Sequence, residues 1–246
     1  MDSGVYAIVY KGLHGMDDIP EMSRKYHIPN DVLEAILTQK IVRDVKSRYH
    51  AVKLQAPKLL KRWESGETFL QISEGLGFSP VMTASLILQQ RGLTKKQFSL
   101  CMKNPEKLGN PRILRELKEA MRNDPVYSPH GTMRQVVKGK LVEEKIQKWL
   151  LGRKIGFRHE TEVRKEHKKT PDFLLDMPLT LENRKVHWVE CKASFGDTVE
   201  IKRDHRKQLR HYVELFGSGA VVYWYGFLDG QKFDKILIKS KNLLMM

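Results

Sequence analysis

From Asp17 to about Met121, apolar residues return every three or four positions with few β-branched runs, which predicts an all-helical half. Within it Phe69, Ile72, Leu76 and Phe78 lead into Ser79-Pro80, and Val81, Ala84, Leu86, Ile87 and Leu88 follow. Ser79 is placed to cap a helix whose first turn holds Pro80, and Gly77 to turn the chain between two helices. That layout is helix-turn-helix-like, and the segment Ile19–Asn30 followed by Val32, Ala35 and Ile36 repeats it. Residues 1–16 hold a short apolar patch and several glycines and predict no more than an arm. Turn formers crowd the aperiodic stretch from Asn123 to Gly131 and set a boundary there. The expected organisation is thus a helical, nucleic-acid-binding domain over residues 1–128 and a second domain over 133–246.

Beyond the boundary the period changes. Gly139–Leu151 reads as a helix, Phe157–Val163, Pro171–Met177 and Lys185–Ala193 as strands, Lys202–Phe216 as a helix and Ala220–Phe227 as a strand, with Lys235–Lys239 closing an edge. The order αβββαβ predicts an α/β domain. Its run Ala220-Val221-Val222-Tyr223-Trp224-Tyr225 is apolar on both strand faces, so that strand is expected in the middle of the sheet.

Charge narrows the partners. With 44 Lys and Arg against 29 Asp and Glu, the formal net charge is +15, which favours a polyanion through phosphate pairing and counterion release. DNA is the expected partner. In the second helix of the turn unit, Thr83 and Arg91 are of types that reach base edges or phosphates. Lys58 and Arg62, in a basic stretch interleaved with aliphatics, would either track a phosphate backbone or form a solvated face. Two cysteines, Cys101 and Cys191, stand without Cys or His at zinc spacing, so neither a disulfide framework nor a zinc site is expected. No apolar run reaches the roughly 18 residues of a membrane span, so no membrane partner is expected either. The first residues lack the layout of a secretory signal, which points to the cytoplasm and nucleoid of a prokaryote or to the nucleus and cytoplasm of a eukaryote.

The candidate chemistry lies in the second domain. In Trp188-Val189-Glu190-Cys191-Lys192 strand alternation puts Glu190 and Lys192 on one face. Asp172 stands at the lip of a neighbouring strand, so two carboxylates from adjacent strands could hold a hard divalent cation, Mg2+ by default with Mn2+ as substitute. Such an ion activates water for phosphodiester hydrolysis, and Lys192 can orient that water or offset the developing charge. Glu143 shares a helix face with Ile146 and Leu150 and is expected in the interior, where a carboxylate needs a cation. On the later helix Gln208 and Tyr212, four apart, face together and could bond a metal water, a substrate phosphate or Lys192. A Glu-x-Lys tripeptide alone would sooner be read as an exposed strand pair with a salt bridge, and its neighbours shift the balance.

Gly139-xxx-Glu143, Thr170-Pro171-Asp172, Glu190-Cys191-Lys192 and Gln208-xxx-Tyr212 together resemble the motif series of the PD-(D/E)xK nuclease superfamily, which includes archaeal Holliday-junction resolvases. The longer strings Lys169–Phe173, His187–Asp197 and Tyr223–Phe227 look like the TPD-motif family of codanin-interacting nucleases, over about residues 135–240. The resemblance implies a restriction-endonuclease-like fold for the second domain. It also implies Glu143, Asp172 and Glu190 as metal-site acids, Lys192 as the catalytic cation and Gln208 as its auxiliary. The expected function is divalent-metal-dependent hydrolysis of DNA, branched DNA included. The alternative is a non-catalytic DNA-binding or scaffold protein, a helix-turn-helix regulator among them, that uses the fold as a platform. A homodimer would suit a junction cutter, but no residue marks a dimer face or a protein partner.

Overall fold

Capping residues set the helices where the sequence puts them. In the computed structural model, which describes residues 1–245 without the side chains of Lys107 and Leu108, Ser79 Oγ accepts from the Met82 amide. Gly77 ends the preceding helix in the left-handed region at φ 56°. The helices run α1 (Ser3–Gly12), α2 (Ile19–Tyr26), α3 (Asn30–Leu54), α4 (Ala56–Glu64), α5 (Phe69–Leu76), α6 (Pro80–Gln90), α7 (Lys95–Lys103), α8 (Pro111–Arg122) and α9 (Pro129–Gly152). The chain falls into two compact units, Thr38–Val136 and, from two separate segments, Met1–Leu37 with Val137–Met246. Both crossings lie inside long helices, α3 and α9.

The unit Thr38–Val136 is helical. Its core gathers Trp63, Phe69, Ile72, Phe78, Ile87, Ile113 and Leu117. At its centre is α6, in which Val81 and every residue from Thr83 to Leu88 are buried. This corrects the expectation for Thr83, because a fully buried side chain in the core cannot meet a base edge. Arg91, just beyond α6, is exposed and lies 5.3 Å over the Trp63 ring. Lys58 is exposed, whereas Arg62 is half-buried and spent on Glu67, at 2.8 and 2.5 Å. The aperiodic stretch after α8 is held in the same unit: Asp124, buried, accepts from the Val81, Val126 and Tyr127 amides and from the Ser79 hydroxyl.

The other unit carries a five-stranded sheet in the order β1 (Phe157–His159), β2 (Phe173–Leu181), β3 (Arg184–Lys192), β4 (Gly219–Tyr223) and β5 (Ile236–Lys239). The pairs β1–β2 and β2–β3 are antiparallel, while β3–β4 and β4–β5 are parallel, so the sheet is mixed. The segment Phe157–Val163, expected as one strand, divides into β1 and a helical turn α10 (Glu160–Val163), because His159 begins a capped turn in which its amide donates to Glu162. Between β3 and β4 a helix runs through α11 (Thr198–Asp204), a π-turn over His205–Leu209 and α12 (Arg210–Phe216). It packs Ile201, Leu209 and Tyr212 against Trp188, Val221 and Tyr223. The first residues, expected as an arm, hold a helix: α1 is capped by Asp2, which accepts from the Gly4 and Val5 amides.

Close approach fixes one glycine in this sheet. A Cβ on Gly219 would stand 2.0 Å from the ring of Trp188, which is fully buried and cannot swing aside. Gly219→Ala is therefore expected to destabilise the sheet unit by about 1–3 kcal/mol, read as a lower denaturation midpoint. An unchanged midpoint would show that Trp188 has room to move. Among the described residues no helix is long and apolar enough to cross a membrane.

Candidate active site

Two strands bring the acids together. Phe173 pairs with Val189, so Asp172, at the entrance to β2, meets the C-terminal half of β3. Its Oδ2 accepts from the Cys191 amide at 2.7 Å, and its own amide donates to Glu190 Oε2 at 3.3 Å. Glu190 and Lys192 share a face, as alternation predicts, and Lys192 Nζ reaches Glu190 Oε1 at 2.6 Å. The π-turn brings Gln208 to the same ammonium, which donates to Gln208 Oε1 at 2.7 Å. Asp172, Glu190, Lys192 and Gln208 thus form one connected cluster.

The electrostatics of the cluster are unbalanced. Burial, and then the charge of Glu190, push the Asp172 carboxyl well above the usual carboxylate range, against the pull of the Cys191 amide and Lys192. Burial likewise raises Glu190, opposed by Lys192. Burial alone would lower the Lys192 ammonium, but the Glu190 charge and hydrogen bond, with Asp204 and Asp172 behind them, outweigh it and raise it. Two carboxylates from neighbouring strands, Glu190 buried and Asp172 half-buried, share a single lysine. A further cation would relieve that strain.

Beside the cluster lies a cleft of about 120 Å³ lined by Glu143, His159, Glu160, Thr161, Asp172 and Phe173. Glu143 is not interior, contrary to expectation: the buried stripe of α9 is Val142, Ile146, Trp149 and Leu150, which leaves Glu143 exposed on its flank. It nevertheless faces the cleft, and partial burial together with the charge of Glu160 raises its carboxyl. Glu160 is the acid that sequence reasoning missed, since the segment read as a strand. The signal for it was His159-Glu160-Thr161-Glu162, whose spacing makes a capped turn.

Tyr212 is corrected as a nucleic-acid contact. It is buried, with its ring edge-on to Trp188 at 5.3 Å, and burial beside Glu190 and Asp172 drives its hydroxyl far above the ordinary tyrosine range. It forms part of the floor under the acids. Among the described residues, no three His, Cys, Asp or Glu side chains stand together as a ready metal cage. An all-oxygen set with one or two carboxylates directed at the ion is how Mg2+ is ordinarily held, with waters and substrate phosphates supplying the rest, and Asp172 with Glu190 fits that demand.

A sequence model of the family described as "Protein of unknown function TPD sequence-motif" matches residues 109–242, more than half of the chain. The chain belongs to the TPD family. Curated relatives of this TPD protein include "CDAN1-interacting nuclease 1" of Danio rerio, 27% identical over 87% of this chain and 78% of the relative. The protein of the same name from Homo sapiens is 29% identical over 70% of this chain and 65% of its own length. "Uncharacterized protein L539" of Acanthamoeba polyphaga mimivirus is 32% identical over 36% of the TPD chain and 35% of its own. No solved structure matches it. The matched span contains Glu143, Glu160, Asp172, Glu190, Lys192 and Gln208.

Proposed function

We propose that this chain is a divalent-metal-dependent nuclease of the PD-(D/E)xK kind that hydrolyses phosphodiester bonds in DNA. The observation that carries the reading is the join at Glu190, which accepts from the Asp172 amide on one oxygen and from Lys192 on the other, with the strongly raised Asp172 carboxyl beside it at the edge of an acidic cleft. The nuclease name of the relatives supports it.

In this reading Asp172 and Glu190 hold Mg2+ or Mn2+, with Glu143 at the mouth of the cleft. The ion, when bound, supplies Lewis-acid activation of water and neutralises phosphate charge. Lys192, fixed from two sides by Glu190 and Gln208, directs its remaining donor capacity at a non-bridging phosphate oxygen and stabilises charge that builds there. Gln208 keeps the ammonium from collapsing wholly onto Glu190. Tyr212 and Trp188 close the floor against bulk water, which strengthens each of these interactions. Lys58 and Arg91, exposed on the helical unit, are of the type that pairs with phosphates, and the net charge of +15 favours an encounter with DNA.

A second reading has its own support. Lys192 occupies one oxygen of Glu190 and the Asp172 amide reaches the other, which leaves that carboxylate less free for a cation and favours a DNA-binding platform with little catalysis. A cleavage assay separates the two. Purified full-length chain is expected to cut labelled duplex, single-stranded, flap or junction DNA with Mg2+ or Mn2+ and to stop in EDTA. Steeply salt-dependent binding with no cut on any of these substrates would sink the enzymatic reading in favour of the platform.

A further inference from the structure

Tyr6 stands at the head of a run of contacts that ends on the lysine of the active site. Its hydroxyl, on α1, donates to Asp197 Oδ2 at 2.5 Å. Its ring lies flat on Phe195, with centroids 5.5 Å apart and planes at 8°. Phe195 and Asp197 close the loop that leaves β3 directly after Lys192, and both are buried. The other Asp197 oxygen accepts from the Val199 and Glu200 amides, each at 2.9 Å, and so starts α11. From there the helix continues through the π-turn that holds Gln208, whose side chain grips Lys192 at 2.7 Å.

The physical demand on Asp197 is strict. A buried carboxylate is tolerable only while donors surround it, and a charge-assisted O–H donor is among the strongest. Removing the Tyr6 hydroxyl makes Asp197 settle on its remaining donors, two of which are the first amides of the helix. The start of that helix then shifts. A π-turn amplifies such a shift, because its wider hydrogen-bond spacing is one register step from an ordinary α-turn that would rotate Gln208 about the axis.

We propose that Tyr6 is a positioning residue of the active site: through Asp197, α1 fixes where the helix after β3 begins and hence where Gln208 meets Lys192. Gln208 touches the reacting cation, and Tyr6 acts on it from outside the cleft. The activity arm of the test rests on the nuclease reading above, while the spectroscopic arm does not.

Tyr6→Phe keeps the stacked ring and deletes only the hydroxyl. In full-length protein it is expected to lower kcat roughly ten- to hundredfold at unchanged KM, with a melting temperature lowered by several degrees for the lost charge-assisted bond and the protein still folded at assay temperature. In 15N-labelled protein it is expected to move the side-chain amide resonances of Gln208. Asp197→Asn combined with Tyr6→Phe should cost no more than the worse of the two single changes, because both act on one path. Gln208 resonances that coincide with those of the wild type overturn the proposal, as does a KM effect at full kcat, or full activity despite shifted resonances. A wild-type protein that cuts no DNA sinks the nuclease reading alone, and the Gln208 resonances then decide the linkage by themselves.

Discussion

Asp172→Asn and Lys192→Ala are each expected to reduce divalent-dependent DNA cleavage by about a thousandfold or more, with DNA affinity retained. Asn keeps the shape of Asp172 and an acceptor for the Cys191 amide, but it loses the charge that a cation needs. Lys192→Ala removes the group on which Glu190 and Gln208 both converge. Stability should move the other way for Asp172→Asn. The folded carboxyl lies well above its unfolded value through burial and Glu190, so the folded state binds that proton more tightly than the unfolded state does. The stabilisation is complete below the ordinary carboxylate range of about 4 and is lost as pH rises through the raised folded value. Metal-free wild type should therefore weaken over that window, and Asp172→Asn should lack this fall and melt higher at neutral pH. Mg2+ should raise the melting temperature of the wild type and leave the variant unmoved. Equal stabilisation of both by Mg2+ would remove Asp172 from the metal site.

The helical unit has an acid of the opposite temper. Glu116 is buried, yet every side of it is answered: Trp63 Nε1 at 2.8 Å and the Phe69 amide at 3.4 Å on one oxygen, and Arg112 Nε at 2.7 Å on the other. Arg112 also donates to the carbonyls of Trp63 and Glu67 and lies 4.5 Å over the Trp63 ring. Glu116→Ala leaves an indole N–H, a backbone N–H and part of a guanidinium without acceptors in the core. The expected loss is about 3–5 kcal/mol, seen as faster amide exchange confined to residues 38–136. Glu116→Gln, which retains one acceptor, should lose less. An alanine variant within about 1 kcal/mol of wild type would mean that water enters to replace the carboxylate.

How much of this was legible in the chain depends on which physical rule had to decide. Alternation along a strand has a period of two with no slack, so the shared face of Glu190 and Lys192 followed directly from the sequence. Helical faces are looser. Glu143 fits a stripe with Ile146 and Leu150 on paper, but burial of Val142 and Trp149 turns that stripe by one position and brings Glu143 to the surface. Thr83 and Tyr212 have polar tips on residues that pack well in cores, and only tertiary packing decided that they are buried. The helix Ser3–Gly12 was hidden by its glycines, although Asp2 before Val5, Ile8 and Val9 is a start signal. Nothing in composition marks residues 37 or 137 as crossings, because each lies inside an unbroken helix.

That division of the chain has a consequence for how the molecule is made. The sheet-bearing unit is sewn from two stretches that flank residues 38–136, so a ribosome delivers its first 37 residues long before the strands they pack with. Closing a flexible loop of that length costs roughly 4 kcal/mol of chain entropy. If the intervening helices collapse first, the loop is no longer flexible and most of that cost is met in advance. An all-helical insert, whose contacts are largely local, is the kind of segment that forms quickly, and formed first it would keep the two flanking stretches within reach of each other.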